Sequence, residues 1–195
     1  MRGTLRSALR AKQTGDLRGS EKFFRKALED AKALPEDVLG PDRLMKISGI
    51  AIALGGFLED QGNAGGAYEV YEEAFGELRN SRGYQEFSGP QKMRTIALAQ
   101  KSAEMAQLIE ERSLMSQAEE RLGWAVAELL KLASKPTEAN PKTTSTSDKD
   151  LELPSWISDV DLGASMENLG LLYLKQGNSE FVYLHNFLVL SLTPV

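Results

Sequence analysis

The sequence contains no cysteine and one histidine, His185. The first absence excludes disulfides, thiolate metal sites and cysteine nucleophiles, and the second excludes metal sites built from several imidazoles. A Ser-His-Asp triad would have to use His185, which stands in Phe181-Val-Tyr-Leu-His-Asn-Phe-Leu with no nucleophile motif around it, so it reads as an ordinary tail residue. No apolar run approaches the roughly 20 residues needed to span a bilayer. Basic surplus is lacking too. The formal charge is −5 and the pI about 5.1. Neutralising phosphates needs a basic surface, none of the helices is expected to carry one, and no nucleic-acid partner is expected. A glycine-rich phosphate loop is also missing, and no cofactor or catalytic residue is assigned.

What is present suits a packed domain: 195 residues, 42% of them apolar and 26% charged. The first twelve residues hold no acid and alternate Arg with apolar side chains. They read as the first helix of a folded repeat, the alternative being a targeting presequence. A three-residue turn recurs at Thr14-Gly15-Asp16, Gln61-Gly62-Asn63 and Gln176-Gly177-Asn178, each time between two helical patterns. Glycine there can take the positive φ that ends one helix, and the following Asp or Asn can cap the next, so each turn predicts a helical hairpin.

Aligned on these glycines, the flanking residues fall into register with the tetratricopeptide pattern, whose period is about 34 residues. The second unit matches best, with Leu54, Gly55 and Leu58 before its turn and Ala67, Tyr71 and Ala74 after it. In the first unit Ala8 and Ala11 precede Gly15, and Ser20, Phe24 and Ala27 follow. A diverged third unit places Met105, Ala106 and Ile109 before Ser113, which replaces the turn glycine, and Ala118, Leu122 and Ala125 after it. Ser116-Gln-Ala-Glu119 is expected to form a capping box at the start of its second helix, and Ser88-Gly-Pro90 to open its first. The fourth unit has Leu169, Gly170 and Tyr173 in the signature places, but Val182, Asn186 and Val189 spoil its second helix.

The expected fold is therefore all-α: tetratricopeptide-like antiparallel hairpins stacked as a right-handed α-solenoid. Three hairpins occupy residues 1–132, a polar, disordered linker 133–154, and a final hairpin with a degenerate second helix 155–195. Trp124 and Trp156, both bracketed by apolar residues, are expected to pack in the core.

In such a stack the first helices line a concave groove that holds a protein or peptide segment. Mapping that face selects Lys12 with Gln13, then Glu59 and Asp60, then Gln107, Glu110 and Glu111, then Glu167 and Lys175. Its middle reads as acidic and suited to a basic or mixed-charge peptide, the alternative being solvated helix ends. Positions where a carboxylate clamp would need Lys and Asn hold Leu5, Leu9, Ile52, Gly56, Ala103 and Gln107, which disfavours a clamp-type co-chaperone.

Two stretches carry a more specific likeness. Met93-Arg-Thr-Ile-Ala-Leu-Ala-Gln-Lys, with Glu119-Glu-Arg-Leu-Gly-Trp-Ala-Val-Ala-Glu-Leu-Leu-Lys-Leu, and Leu153-Pro-Ser-Trp-Ile, with Asp161-Leu-Gly-Ala-Ser-Met-Glu-Asn-Leu-Gly-Leu-Leu-Tyr, resemble the fungal tetratricopeptide adaptor subunit of the mitochondrial inner-membrane i-AAA protease. The resemblance implies a non-enzymatic adaptor at the intermembrane-space side of the inner membrane, with the protease complex and its substrates as partners. That family's presequence and membrane anchor are not found in the sequence, so the ends are expected to reflect a fragment, an alternative product or an imperfect gene model. Two other readings stay open: an organellar assembly factor for a respiratory complex, and an all-helical enzyme subunit.

Overall fold

A computed structural model describes residues 2–109, 111–133 and 159–178. Every regular element among them is helical: α1 (Arg2–Gln13), α2 (Leu17–Ala33), α3 (Glu36–Leu39), α4 (Arg43–Asp60), α5 (Ala64–Arg79), α6 (Gly89–Ile109), α7 (Arg112–Ala133) and α8 (Asp159–Lys175), with a 3-10 turn at Tyr84–Glu86. The chain divides into two compact units, Met1–Ala118 and Glu119–Val195. This division falls inside α7, ahead of the boundary expected at residue 132. The expected linker from residue 134 onward, Trp156, His185 and the second helix of the fourth unit (Val182, Asn186, Val189) lie outside the described residues.

In the first unit α1 packs on α2, α2 on α4, α4 on α5 and α5 on α6. The turns that join α1 to α2 and α4 to α5 share one design. Gly15 and Gly62 have φ of 79° and 70°, and the amides of Asp16 and Asn63 donate to the carbonyls of Ala11 and Leu58, each at 2.9 Å. The Asp16 and Asn63 side chains then accept from Gly19 N and Gly66 N, both at 2.9 Å, capping the second helix. Gly177, with φ 75°, ends α8 in the same way, the Asn178 amide donating to Tyr173 O.

Small residues bring the paired helices close. Gly55, Ala67 and Ala74 are buried where α4 meets α5, with Leu54, Leu58 and Tyr71 between them. Ala8 and Ala27 do the same where α1 meets α2, and Ser20 is tolerated there because its hydroxyl donates to Ala8 O at 3.0 Å. Phe24 and Phe57, with ring centroids 5.7 Å apart, join the two hairpins.

Two segments expected only as longer connections carry structure of their own. Pro35 opens α3 and Gly40, at φ 70°, closes it, which buries Leu39. The 3-10 turn buries Tyr84, whose ring meets Phe87 edge-on. The start of α7 differs from expectation. That helix begins at Arg112, so Ser113 is helical rather than a turn residue, and Ser116 to Glu119 lie inside the helix rather than capping it. The start of α6 is where it was expected, after Ser88 and with Pro90 in its first turn: Gln91 Oε1 accepts from the Ser88 amide at 2.8 Å and from its hydroxyl at 3.0 Å, one half of a capping box.

In the second unit Leu122, Ala125, Leu129, Leu162, Met166 and Leu172 are buried. Tyr173 is half-buried, as is Trp124, which was expected in the core. Glu119 approaches Tyr173 and accepts from Gln176 Nε2 at 3.3 Å.

Candidate functional site

The last turns of α1 and α4 and the middle of α6 bring the first unit's candidate side chains together. Lys12 Nζ reaches Asp60 Oδ2 at 2.7 Å, its ammonium standing 5.8 Å from the centre of the Phe57 ring. Glu59, one residue earlier on α4, is held from two sides. Lys101 Nζ lies 2.9 Å from its Oε2, and the Tyr71 hydroxyl donates to its Oε1. Lys101 also meets Glu104 Oε2 at 3.0 Å. One cation from α1 and one from α6 thus pair with the two α4 carboxylates.

This pairing changes the charge of the face. The expected acidic middle is a mixed row in which Glu59, with a side chain 22% exposed, is an internal partner, whereas Asp60 at 57% remains open. The cation responsible, Lys101, was missed by the sequence reading. Its sequence signal was the Lys101–Glu104 pair on one turn of α6, which gives no hint of a third partner on α4.

Burial raises the Tyr71 hydroxyl well above its usual titration range, and the hydrogen bond and charge of Glu59 push in the same direction. For Lys101 burial works against the charged form, but the hydrogen bonds and charges of Glu59 and Glu104 outweigh it and its pKa is raised. Tyr173 is raised by burial and then by the Glu119 charge.

The other candidates are placed differently. Gln107 is half-buried further along α6. Glu111 precedes α7: its carbonyl accepts from Leu114 N and Met115 N, and its carboxylate takes the Ser113 hydroxyl at 2.6 Å. It therefore organises a helix start. Glu110 lies outside the described residues. Glu167 and Lys175 are exposed on α8 in the second unit. Of the places compared with a carboxylate clamp, Leu9 and Ile52 are exposed and Ala103 is fully buried.

Helical spacing places Leu9 one turn from Lys12, Ile52 two turns from Glu59, and Leu108 one turn from Glu104. All three leucine and isoleucine side chains are exposed, so the face combines apolar tips with ion pairs. A separate recess of about 1140 Å³ is lined by residues of α2 to α5, the α3–α4 link and the segment after α5, among them Lys32, Arg43, Glu77 and Arg82. Its charges are partly consumed internally: Lys32 pairs with Glu73 at 2.7 Å and Glu77 at 3.2 Å, and the Arg43 guanidinium donates to Lys32 O at 2.9 Å. Among the described residues no three His, Asp or Glu side chains converge as a metal site.

One expectation about charge is overturned. Arg2, Arg6 and Arg10 stand four apart on α1 and all are exposed, so this helix does carry a basic surface. The chain's net acidity hid it, because a whole-chain sum says nothing of distribution along a helix. No helix among the described residues is long and apolar enough to cross a membrane. No family model, characterised protein or solved structure matches the chain.

Proposed function

We propose that this chain is a tetratricopeptide-like scaffold whose first helices hold a protein segment, and that it serves as an adaptor delivering substrates to a mitochondrial inner-membrane AAA protease. The observation that carries the binding part is the mixed face of α1, α4 and α6. Ile52 and Leu108 stand exposed beside the Lys12–Asp60 and Lys101–Glu59 pairs, and an extended segment with alternating apolar and charged residues matches that surface. The repeated glycine turns and the small-residue seams support the solenoid reading, in which these helices line a concave groove. The protease assignment and the inner-membrane location rest on the sequence resemblance alone.

The ion pairing decides which substitutions test the face. Reversing Glu59 would take the acceptor from the Tyr71 hydroxyl and set a cation against Lys101, whereas Asp60, Glu104 and Ile52 can be changed at the surface. A pull-down from mitochondrial extract compares wild type with Ile52→Asp, Asp60→Lys and Glu104→Lys combined. Loss of partners by the variant supports the face, and equal recovery by both moves the binding surface elsewhere. Recovery of no AAA protease by either protein removes the adaptor assignment while leaving the scaffold reading intact.

A further inference from the structure

The charge of this chain is unevenly distributed. Residues 1–33, which span α1 and α2, hold nine basic and four acidic side chains, a surplus of five, which leaves −10 on the remainder of a chain whose total is −5. Part of that surplus is structural. Lys12 pairs with Asp60, Arg25 with Glu21, Lys26 with Asp30, and Lys32 with Glu73 and Glu77. Arg2, Arg6 and Arg10 are different: all three are exposed and, among the described residues, none makes an ion pair or side-chain hydrogen bond.

Their spacing gives them a common direction. Residues four apart lie in one row along a helix, separated by about 6 Å of rise, so the three guanidinium groups form a line about 12 Å long. Leu5 and Leu9 form the neighbouring row, Leu9 being 52% exposed. The opposite side of α1, with Ala8 and Ala11, is occupied by its packing on α2. The outward face of α1 is thus a basic row beside an apolar row.

We propose that this face of α1 docks the protein onto an anionic phospholipid surface. Guanidinium groups match phosphate geometry, and a line of them on a convex helix suits a planar array of headgroups. Leu9, standing beside the cations, supplies an apolar tip for the acyl boundary, the arrangement of a basic amphipathic helix lying on a membrane. The acidic remainder is repelled by the same surface, which selects the α1 face for contact. The surface charges on α2 that adjoin this hairpin, Arg18 and Lys22, add to the attraction.

The experiment is co-sedimentation of the full chain with vesicles of phosphatidylcholine alone and with about one-third phosphatidylglycerol, at about 50 mM and about 300 mM salt, a range over which screening changes strongly. Binding is expected to anionic vesicles only and to weaken at the higher salt. With roughly fivefold per arginine near such a surface, Arg2→Gln, Arg6→Gln and Arg10→Gln together should lower partitioning on the order of 100-fold. Replacement of all three by Lys should retain most of it, and Leu9→Ser should weaken it at both salts. Helicity measured on each variant separates lost binding from lost folding. Equal partitioning to neutral vesicles, unchanged binding by the Gln variant with native helicity, or capture by an acidic peptide or RNA without vesicle binding would each overturn the proposal.

Discussion

A β-carbon added to Gly55 would lie 2.4 Å from the Tyr71 ring, closer than any real contact, so α4 and α5 meet at a point where only glycine fits beneath the tyrosine. Gly55→Ala must displace the ring and should cost about 1 to 3 kcal/mol, the usual range for overpacking. Tyr71→Leu in the same chain should recover part of that loss. Denaturant melts of the two single variants and the double would show the coupling, and strict additivity would contradict the contact.

The two aromatic residues of the signature should differ. Tyr71 is 2% exposed, so Tyr71→Ala should cost about 3 to 5 kcal/mol, as for other buried aromatics. Tyr173 is half-buried against Glu119 and its truncation should cost clearly less. Ala67, fully buried in the same seam as Tyr71, should tolerate Leu only at about 1 to 3 kcal/mol. Equal losses for the two tyrosines in urea melts would place Tyr173 deeper than its surroundings indicate.

The hydroxyl of Tyr71 makes a separate statement about pH. Its pKa is raised above the ordinary 10.0 in the folded chain, so the native state holds this proton more tightly than the unfolded one. Stability from this source is complete below about pH 10 and declines as pH rises past it. Lys101, raised from 10.5, acts in the same direction. Urea midpoints followed from pH 8 to 11 should be flat and then fall, with a shallower fall in Tyr71→Phe. An identical decline in both proteins would assign the effect elsewhere.

The two α4 carboxylates should respond unequally to mutation. Lys12 and Asp60 are both well exposed, and Asp60→Asn should change stability by no more than about 1 kcal/mol. Glu59→Gln disturbs a side chain with donors from both α5 and α6 and should cost more. Thermal melts at low and high salt would separate them, and a larger effect at Asp60 would reverse the assignment of internal and surface partner.

Much of the helical framework was legible because its signals are local. Gly15, Gly62 and Gly177 mark turns by backbone freedom, and Asp16 and Asn63 cap by side-chain reach within three residues. The alternation of small and large residues around Gly55 and Tyr71 likewise follows from close approach of neighbouring helices. The site was less legible because its geometry is not local. Glu59 and Asp60 are adjacent in sequence, yet one is claimed by Tyr71 and Lys101 and the other by Lys12, and nothing in a linear pattern of charges foretells that division. Glu111 stays exposed, but its local role was hidden for a related reason: the α6–α7 link lacks glycine, and the helix start recruits the nearest acid.

The packing of α1 has a consequence for motion. Among the described helices α2 is its principal neighbour, and beyond that seam the Lys12–Asp60 pair reaches α4; α2 and α5, by contrast, are each packed between two helices. On the α1 side the seam is made by Ala8 and Ala11, which bury little area per residue. Opening α1 therefore costs less than opening α2, α4 or α5, and its amides should exchange with deuterium ahead of theirs. Whatever settles on the outward side of α1 would slow that exchange without touching the interior.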